Sequence, residues 1–458
     1  MCKRLFVLVL LLAAAPSVFG APIGIFGDNQ DVGNGVDNPL GIGYVIQVAG
    51  NNNYLIGAGG DDIWNQNDQF HFAYNEVTGN IRVSLHPEWQ DSGWNDWAKV
   101  GAMLRESTAD NSVHYSSLTR KGGGDPWSKR GNTDDSVFFQ RRTATGDWSG
   151  STDWWGVNPE RVGMQRIVSG GYEVVQALVD QGGGAGWQAV GTMLVDLPDT
   201  LLAGVAVTAH DNAWMVQARV EDVQYDYAPG LIGVTEIPRD AAVQSCGSTQ
   251  RGFNIKTAKA PPGWDLNTMP YEMGEYLAEN GELGGDPSLE KGERQEVVVN
   301  LHDSGGRFLY GNDQSFPGID PFEQPTSDPA AGDDDEQYAT LVTGCIELTA
   351  GLHVIGGHAD DGVLIRIGGV EIGRTASWNS IDDFLFNVEV AGLYPFRAVM
   401  YEQGGGSDLE LYEVLPGGVR ILLNDLAGGG SAVYVPEPAT IALLGFGGLA
   451  MLRVRRKR

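Results

Sequence analysis

The side chains most able to do chemistry in this sequence are tryptophans set in polar loops. Trp89, Trp94, Trp97, Trp127, Trp148, Trp154 and Trp155 lie in or beside stretches rich in glycine and asparagine. An indole there offers a flat apolar face and an N–H donor, a combination suited to stacking on a sugar ring. Most of them are expected to cap the ends of a core, and Trp148 with Trp154 and Trp155 forms the best group for carbohydrate stacking. Arg105, Arg141 and Arg142 have apolar neighbours, so they line a concave face or snorkel to water. The run Asp333-Asp334-Asp335-Glu336 is a solvated loop or part of a Ca2+ site, since that ion takes oxygen ligands.

Other chemistry is missing from the sequence. There is no His-Glu-x-x-His, no Gly-x-Ser-x-Gly, no phosphate loop and no Cys-x-x-Cys, and the seven histidines are scattered. Net charge is −29, and the only dense basic block is at the C-terminus. Phosphate backbones need clustered Lys and Arg, so no nucleic-acid partner is expected.

The two ends read as export signals. Lys3 and Arg4 precede an apolar run over 5–15, Pro16 breaks it, and Val18-Phe19-Gly20 offers a cut before Ala21. Residues 1–20 are thus expected to be a secretory signal peptide, and the mature chain faces an oxidising space. Cys2 leaves with that peptide. Cys246 and Cys345 remain and are expected to form a disulfide, the alternative being two buried free thiols.

At the other end, Val435-Pro436-Glu437-Pro438 is followed by an apolar run over 439–452 and by Arg453-Val454-Arg455-Arg456-Lys457-Arg458. The prolines hold the chain extended, in a form an enzyme can read. The apolar run is shorter than the roughly 20 residues of an ordinary membrane-spanning helix, which suits a temporary anchor. The basic cluster stays on the cytoplasmic side. This order, over 435–458, resembles the PEP-CTERM sorting signal of bacterial exported proteins. The resemblance implies an exosortase-type processing enzyme as partner, transient membrane contact through the short transmembrane segment, and a mature form at the cell surface or outside the cell. A plain transmembrane anchor is the alternative.

Between the ends the pattern is strand after strand. Phe70-His71-Phe72-Ala73-Tyr74 and Ile81-Arg82-Val83-Ser84-Leu85 alternate, and further short apolar runs recur through 227 with glycine or Asn/Asp turns between them. We read 25–227 as one antiparallel β-sandwich, 228–249 as a turn-rich linker and 250–430 as a second sandwich, which makes the chain all-β. One helix is expected after Pro270, with Tyr271, Met273, Tyr276 and Leu277 sharing part of a face.

Segments 68–74, 97–107, 138–142 and 202–210 resemble the concanavalin A-like lectin/glucanase jelly roll. Retaining glucanases of that fold carry carboxylates on alternating residues of one strand. No such run occurs here, and the adjacent Glu221 and Asp222 would point to opposite faces. No catalytic residue is therefore assigned. In the second half, Ala359-Asp360-Asp361-Gly362, the later Gly368-Gly369 and 391–397 resemble the protective-antigen-type sandwich of toxins, glycosidases and flocculin adhesins. In its glycan-binding members an adjacent aspartate pair at this turn holds Ca2+, and the ion binds sugar hydroxyls. The resemblance assigns Asp360 and Asp361 to that role. The alternative is a turn in which both aspartates only bond the backbone.

The sequence thus describes an exported, surface-sorted and non-catalytic protein that binds a polysaccharide or other glycan, with Ca2+ as its one expected cofactor. Two alternatives stay open: a structural or adhesive matrix component without glycan binding, and a divergent glycoside hydrolase.

Overall fold

The computed structural model describes residues 22–436 except 34–42, 51, 92–94, 121–135, 158, 261–270, 281–290, 303–309, 311–313, 318–337, 376–379 and 404–406. The signal peptide, the apolar run over 439–452 and the acidic run at 333–336 lie outside the described residues. Among the described residues no helix is long and apolar enough to cross a membrane. The chain divides into two compact units, with the main boundary between Ile232 and Gly233 and the short stretches Val168–Glu173 and Leu194–Asp196 grouped with the second.

The first unit is a pair of seven-stranded antiparallel sheets. One runs in the order Asp28–Val32, Phe70–Thr78, Thr200–Thr208, Lys99–Arg105, His114–Arg120, Ser136–Arg142 and Gly150–Trp155. The other runs Trp187–Val195, Tyr172–Asp180, Arg161–Ser169, Ile81–Asp91, Asp211–Asp226, Tyr54–Gly60 and Tyr44–Gln47. The sheets face each other closely. Ser117 on the first donates to the Leu178 carbonyl on the second at 3.1 Å, and a Cβ at Gly191 would stand 2.3 Å from the Phe139 ring. The first sheet buries side chains on both faces. Its outer face carries Phe70, Phe72, Met103 and Leu118, packed with Val32 and with Ile63 of a small hairpin.

The second unit has the same plan. Its six-stranded sheet runs Thr235–Ile237, Ser380–Val388, Gly351–Asp360, Asp408–Val414 and Asn300–His302, with Arg420–Leu422 beside Asp408–Val414. Its seven-stranded sheet runs Lys291–Glu296, Phe253–Lys259, Tyr338–Leu348, Gly392–Glu402, Gly362–Ile367 and Val370–Arg374, with Val433–Tyr434 beside Tyr338–Leu348. Phe253, Val342, Ile355, Phe386, Phe396, Leu409 and Leu411 fill the space between. Gly368 and Gly369 make the tight turn into Val370–Arg374 with φ of +58° and +80°, conformations that side-chain-bearing residues avoid.

Two features differ from the sequence expectation. The stretch 228–249, expected as a linker, is partly built into the second sandwich: Thr235–Ile237 pairs in parallel with Ser380–Val388, and Ile237 is buried in the core. The helix is Tyr271–Asn280. It seats Tyr271 and Leu277 against Ala339, Leu364 and Tyr401, while Tyr276 is exposed. Glu275 pairs with Arg366 and Arg397, and Glu279 with Arg397, so the helix lies over the outer face of the seven-stranded sheet.

Candidate functional sites

Asp360 ends Gly351–Asp360 in one sheet, and Gly362 begins Gly362–Ile367 in the other. Asp361 alone carries the chain around this corner of the sandwich, and the Asp360–Asp361 peptide is cis. Only glycine fits at 362, where a Cβ would lie 2.5 Å from the Thr375 carbonyl and 2.6 Å from the Tyr271 hydroxyl. The Asp361 N–H donates to the Tyr401 carbonyl at 3.3 Å, and its Oδ2 accepts the Gln403 N–H at 2.8 Å. Burial pushes the Asp361 carboxyl above its ordinary pKa, with the Gln403 hydrogen bond opposing it.

Asp360 leads onto an acidic sheet face that sequence inspection missed. Ile355, Ala359, Leu301, Leu409 and Leu411 point into the core. By strand alternation His358, Asp360, Asn300, His302, Asp408 and Glu410 point the other way. Asp360 stands opposite Asp408, and His358 opposite Glu410. His302 lies 3.1 Å from Asp408, His358 lies 3.6 Å from Glu410, and the Tyr310 N–H donates to Glu410 at 3.1 Å. The sequence signal was there in Asp408-Leu409-Glu410-Leu411, an acid-apolar alternation.

Among the described residues, no three His, Cys, Asp or Glu side chains converge as a metal cage. The corner nevertheless suits a hard cation by donor chemistry. It offers carboxylate oxygens from adjacent residues, and Asp361 has no Lys or Arg pairing it among the described residues. Further oxygens would come from backbone carbonyls or from the ligand itself.

The tryptophans sort differently from expectation. Trp154 and Trp155 are neighbours on the edge strand Gly150–Trp155, so their side chains leave opposite faces. Trp155 joins Trp97 instead. The Arg120 guanidinium sits 4.2 Å from the Trp97 ring centre and 4.7 Å from that of Trp155, and Phe138 meets Trp155 edge-on at 5.6 Å. Trp97 is 42 % and Trp155 55 % exposed, so the group is a surface patch. Trp148 is 66 % exposed in the preceding loop, while Trp89 is buried. Trp94 and Trp127 lie outside the described residues. Arg120, Phe138 and Trp155 come from three neighbouring strands and Trp97 from the turn before Lys99–Arg105, with Lys99 opposite Arg120 and Ser136 opposite Trp155.

Arg105 and Arg142 neither line an open face nor snorkel. Both are fully buried around Asp68. Arg105 donates to Asp68 at 2.6 Å, and Arg142 grips both oxygens at 2.6 and 2.7 Å. Burial pushes the Asp68 carboxyl up, but the positive groups around it overcome this and hold it below its ordinary pKa. Burial also pushes His114, 3.9 Å away, down to about 3, so that ring is neutral at pH 7 and the arginines carry the charge. Arg141 is half-buried and reaches Thr152 at 3.2 Å.

The last described residues belong to the second sandwich. Val435 and Pro436 are buried, and the Val435 N–H donates to the Gln250 carbonyl at 2.8 Å. Glu437 and Pro438 lie outside the described residues. The structure bonds Cys246 to Cys345, with a Cα–Cα distance of 6.1 Å.

Several solved structures resemble parts of the chain. The epithelial adhesin 9 A domain from Candida glabrata, in complex with Galb1-3GlcNAc, is 12 % identical over 45 % of this chain and 95 % of that one, with a TM-score of 0.27. The PA14 domain of an antifreeze protein is 19 % identical over 43 % of this chain and 98 % of that one, with a TM-score of 0.28. A PA14 sugar-binding domain from an RTX adhesin is 19 % identical over 38 % of this chain and 96 % of that one, with a TM-score of 0.25. No curated protein matches the chain. Residues 435–457 match the family model of the PEP-CTERM protein-sorting motif, which marks the chain as an exported protein that an exosortase sorts to the cell surface.

Proposed function

We propose that this protein is a non-catalytic surface lectin or adhesin that holds carbohydrate at the Asp360–Asp361 corner through Ca2+. The observation that carries this reading is Asp361. Its carboxylate sits at a sandwich corner, accepts a backbone N–H from Gln403, and is paired with no Lys or Arg among the described residues. Asp360, one residue away, stands opposite Asp408 at the end of a sheet face whose acids, Asp408 and Glu410, are buried. Ca2+, when bound, would leave coordination positions for a sugar diol. Asp361 and Asp360 would hold the ion, and Gln403 would fix the Asp361 carboxylate.

The aromatic patch of the first sandwich supports the same class of ligand. Trp97 and Trp155 are each about half exposed, and the Arg120 guanidinium lies over both rings and holds them together, so less side-chain freedom would be lost on stacking. The test is a glycan array probed with the mature exported protein in Ca2+, in chelator, and as the Asp361→Asn variant. Binding that appears only with Ca2+ and wild-type Asp361 is expected. Glycan binding indifferent to both would move the site away from this corner, and no binding in any arm would leave a matrix role without glycan recognition.

A further inference from the structure

The sorting motif begins inside the fold. Val433–Tyr434 pairs antiparallel with Tyr338–Leu348, setting Val433 opposite Ile346 and Tyr434 opposite Cys345. On its other side, Gly252 N–H donates to the Val433 carbonyl at 3.0 Å and Val435 N–H to the Gln250 carbonyl at 2.8 Å. The Arg251 guanidinium lies 4.8 Å from the Tyr434 ring centre. Asn424 Oδ1 accepts the Val433 N–H at 2.9 Å. Val433 is 0 % and Val435 3 % exposed. A Cβ on Gly344 would stand 2.6 Å from a Val433 methyl, so that glycine makes the seat. The disulfide ties the two flanks together: Cys345 faces Tyr434, and Cys246 lies just before Gln250. The tail strand is thus gripped from both sides by segments that a covalent bond joins.

We infer that this grip sets the upstream limit of processing. The exosortase can cut the chain only beyond Pro436, and the Cys246–Cys345 bond acts as a positioning element for that cut. This rests on the sorting role of residues 435–457. A protease-type enzyme needs several residues extended in its cleft, and residues bonded into a sheet on both sides are withheld from it. One peptide bond C-terminal to Pro436 would break. Its acyl carbon would pass to water or to an acceptor amine, and the new amine would leave on the fragment that carries the apolar run and the arginines.

The test is mass spectrometry of the mature C-terminus from the exporting bacterium, with a Pro436→Ala/Glu437→Ala/Pro438→Ala variant beside wild type. A single end at or beyond Pro436 is expected, with the triple variant retained uncut. A wild-type end at Val435 or earlier overturns the limit while the sorting role stands. Normal maturation of the triple variant overturns the sorting role itself. A Cys246→Ser/Cys345→Ser protein is expected to lose the single end and give ends scattered upstream. The same sharp end, with unchanged resistance of 430–436 to added protease, overturns the role of the disulfide.

Discussion

Asp68 and Asp361 are both aspartates drawn out of water, one in each sandwich, and their surroundings differ in kind. Asp68 is enclosed by the forks of Arg105 and Arg142, which between them reach both of its oxygens. Its charge is answered within the fold. Among the described residues, the Asp361 carboxylate accepts a backbone N–H from Gln403 and has no Lys or Arg beside it, and burial raises its pKa. A carboxylate with two guanidinium partners is a structural group. One without a cation is available for chemistry, and this difference, rather than burial alone, separates the core of the first sandwich from the candidate site of the second.

The largest effect expected from this contrast is at Asp68. Asp68→Asn would leave two buried guanidinium groups facing a neutral amide, and breaking a buried pair in that way costs about 3–5 kcal/mol. Calorimetry of the full chain should show the transition of the first sandwich falling steeply while that of the second stays in place. If neither transition moves, Asp68 is not a structural group. The same carboxylate gives a pH dependence. Its pKa is lower folded than unfolded, so its contribution is present above the ordinary carboxylate value of about 3.9 and is lost as pH falls through the folded pKa. Acid unfolding of the first sandwich should therefore begin below about pH 4 in wild type, and the slope of stability against pH there should flatten in Asp68→Asn.

Asp361→Asn should do the reverse. The amide oxygen can still accept the Gln403 N–H, and no described cation loses a partner, so stability should change by less than about 1 kcal/mol. Ca2+ binding, followed by titration calorimetry, should be lost. Retained Ca2+ affinity would remove Asp361 from the site, and a large loss of stability would make it a second structural carboxylate like Asp68.

How far the sequence discloses this contrast depends on the range of the interaction. Alternation such as Ile81-Arg82-Val83-Ser84-Leu85 is local, so the strands and the two sandwiches could be read directly, as could the Gly368-Gly369 turn. The turn at 359–362 was legible because Asp360, Asp361 and Gly362 are adjacent, whereas a role for the two carboxylates came only from the family resemblance. The Asp68 clamp was not, because its arginines come from two strands 37 and 74 residues further on, and a lone arginine among apolar residues looks the same whether it reaches water or a buried acid. Thr235–Ile237 was hidden for another reason: three residues between prolines and glycines carry too little pattern to show that they extend a sheet.

The smallest expected effect tests whether a surface patch can be told from scattered surface tryptophans. Trp155 shares Arg120 with Trp97 and meets Phe138 edge-on, whereas Trp148 is 66 % exposed in its loop. An exposed cation–π contact is worth about 0.5–1 kcal/mol, so Trp155→Ala should lower stability by about that much, and Trp148→Ala should be neutral within error. Urea unfolding followed by circular dichroism resolves differences of this size. The two variants should also separate on glycans. Removing Trp155 frees both Arg120 and Trp97 from a fixed arrangement, so a stacking ligand on the first sandwich would lose a ring and the rigidity of its neighbour together. Equal effects of the two substitutions on both stability and binding would mean that the Arg120 arrangement organises nothing, and the Asp361 corner would then be the only candidate glycan site.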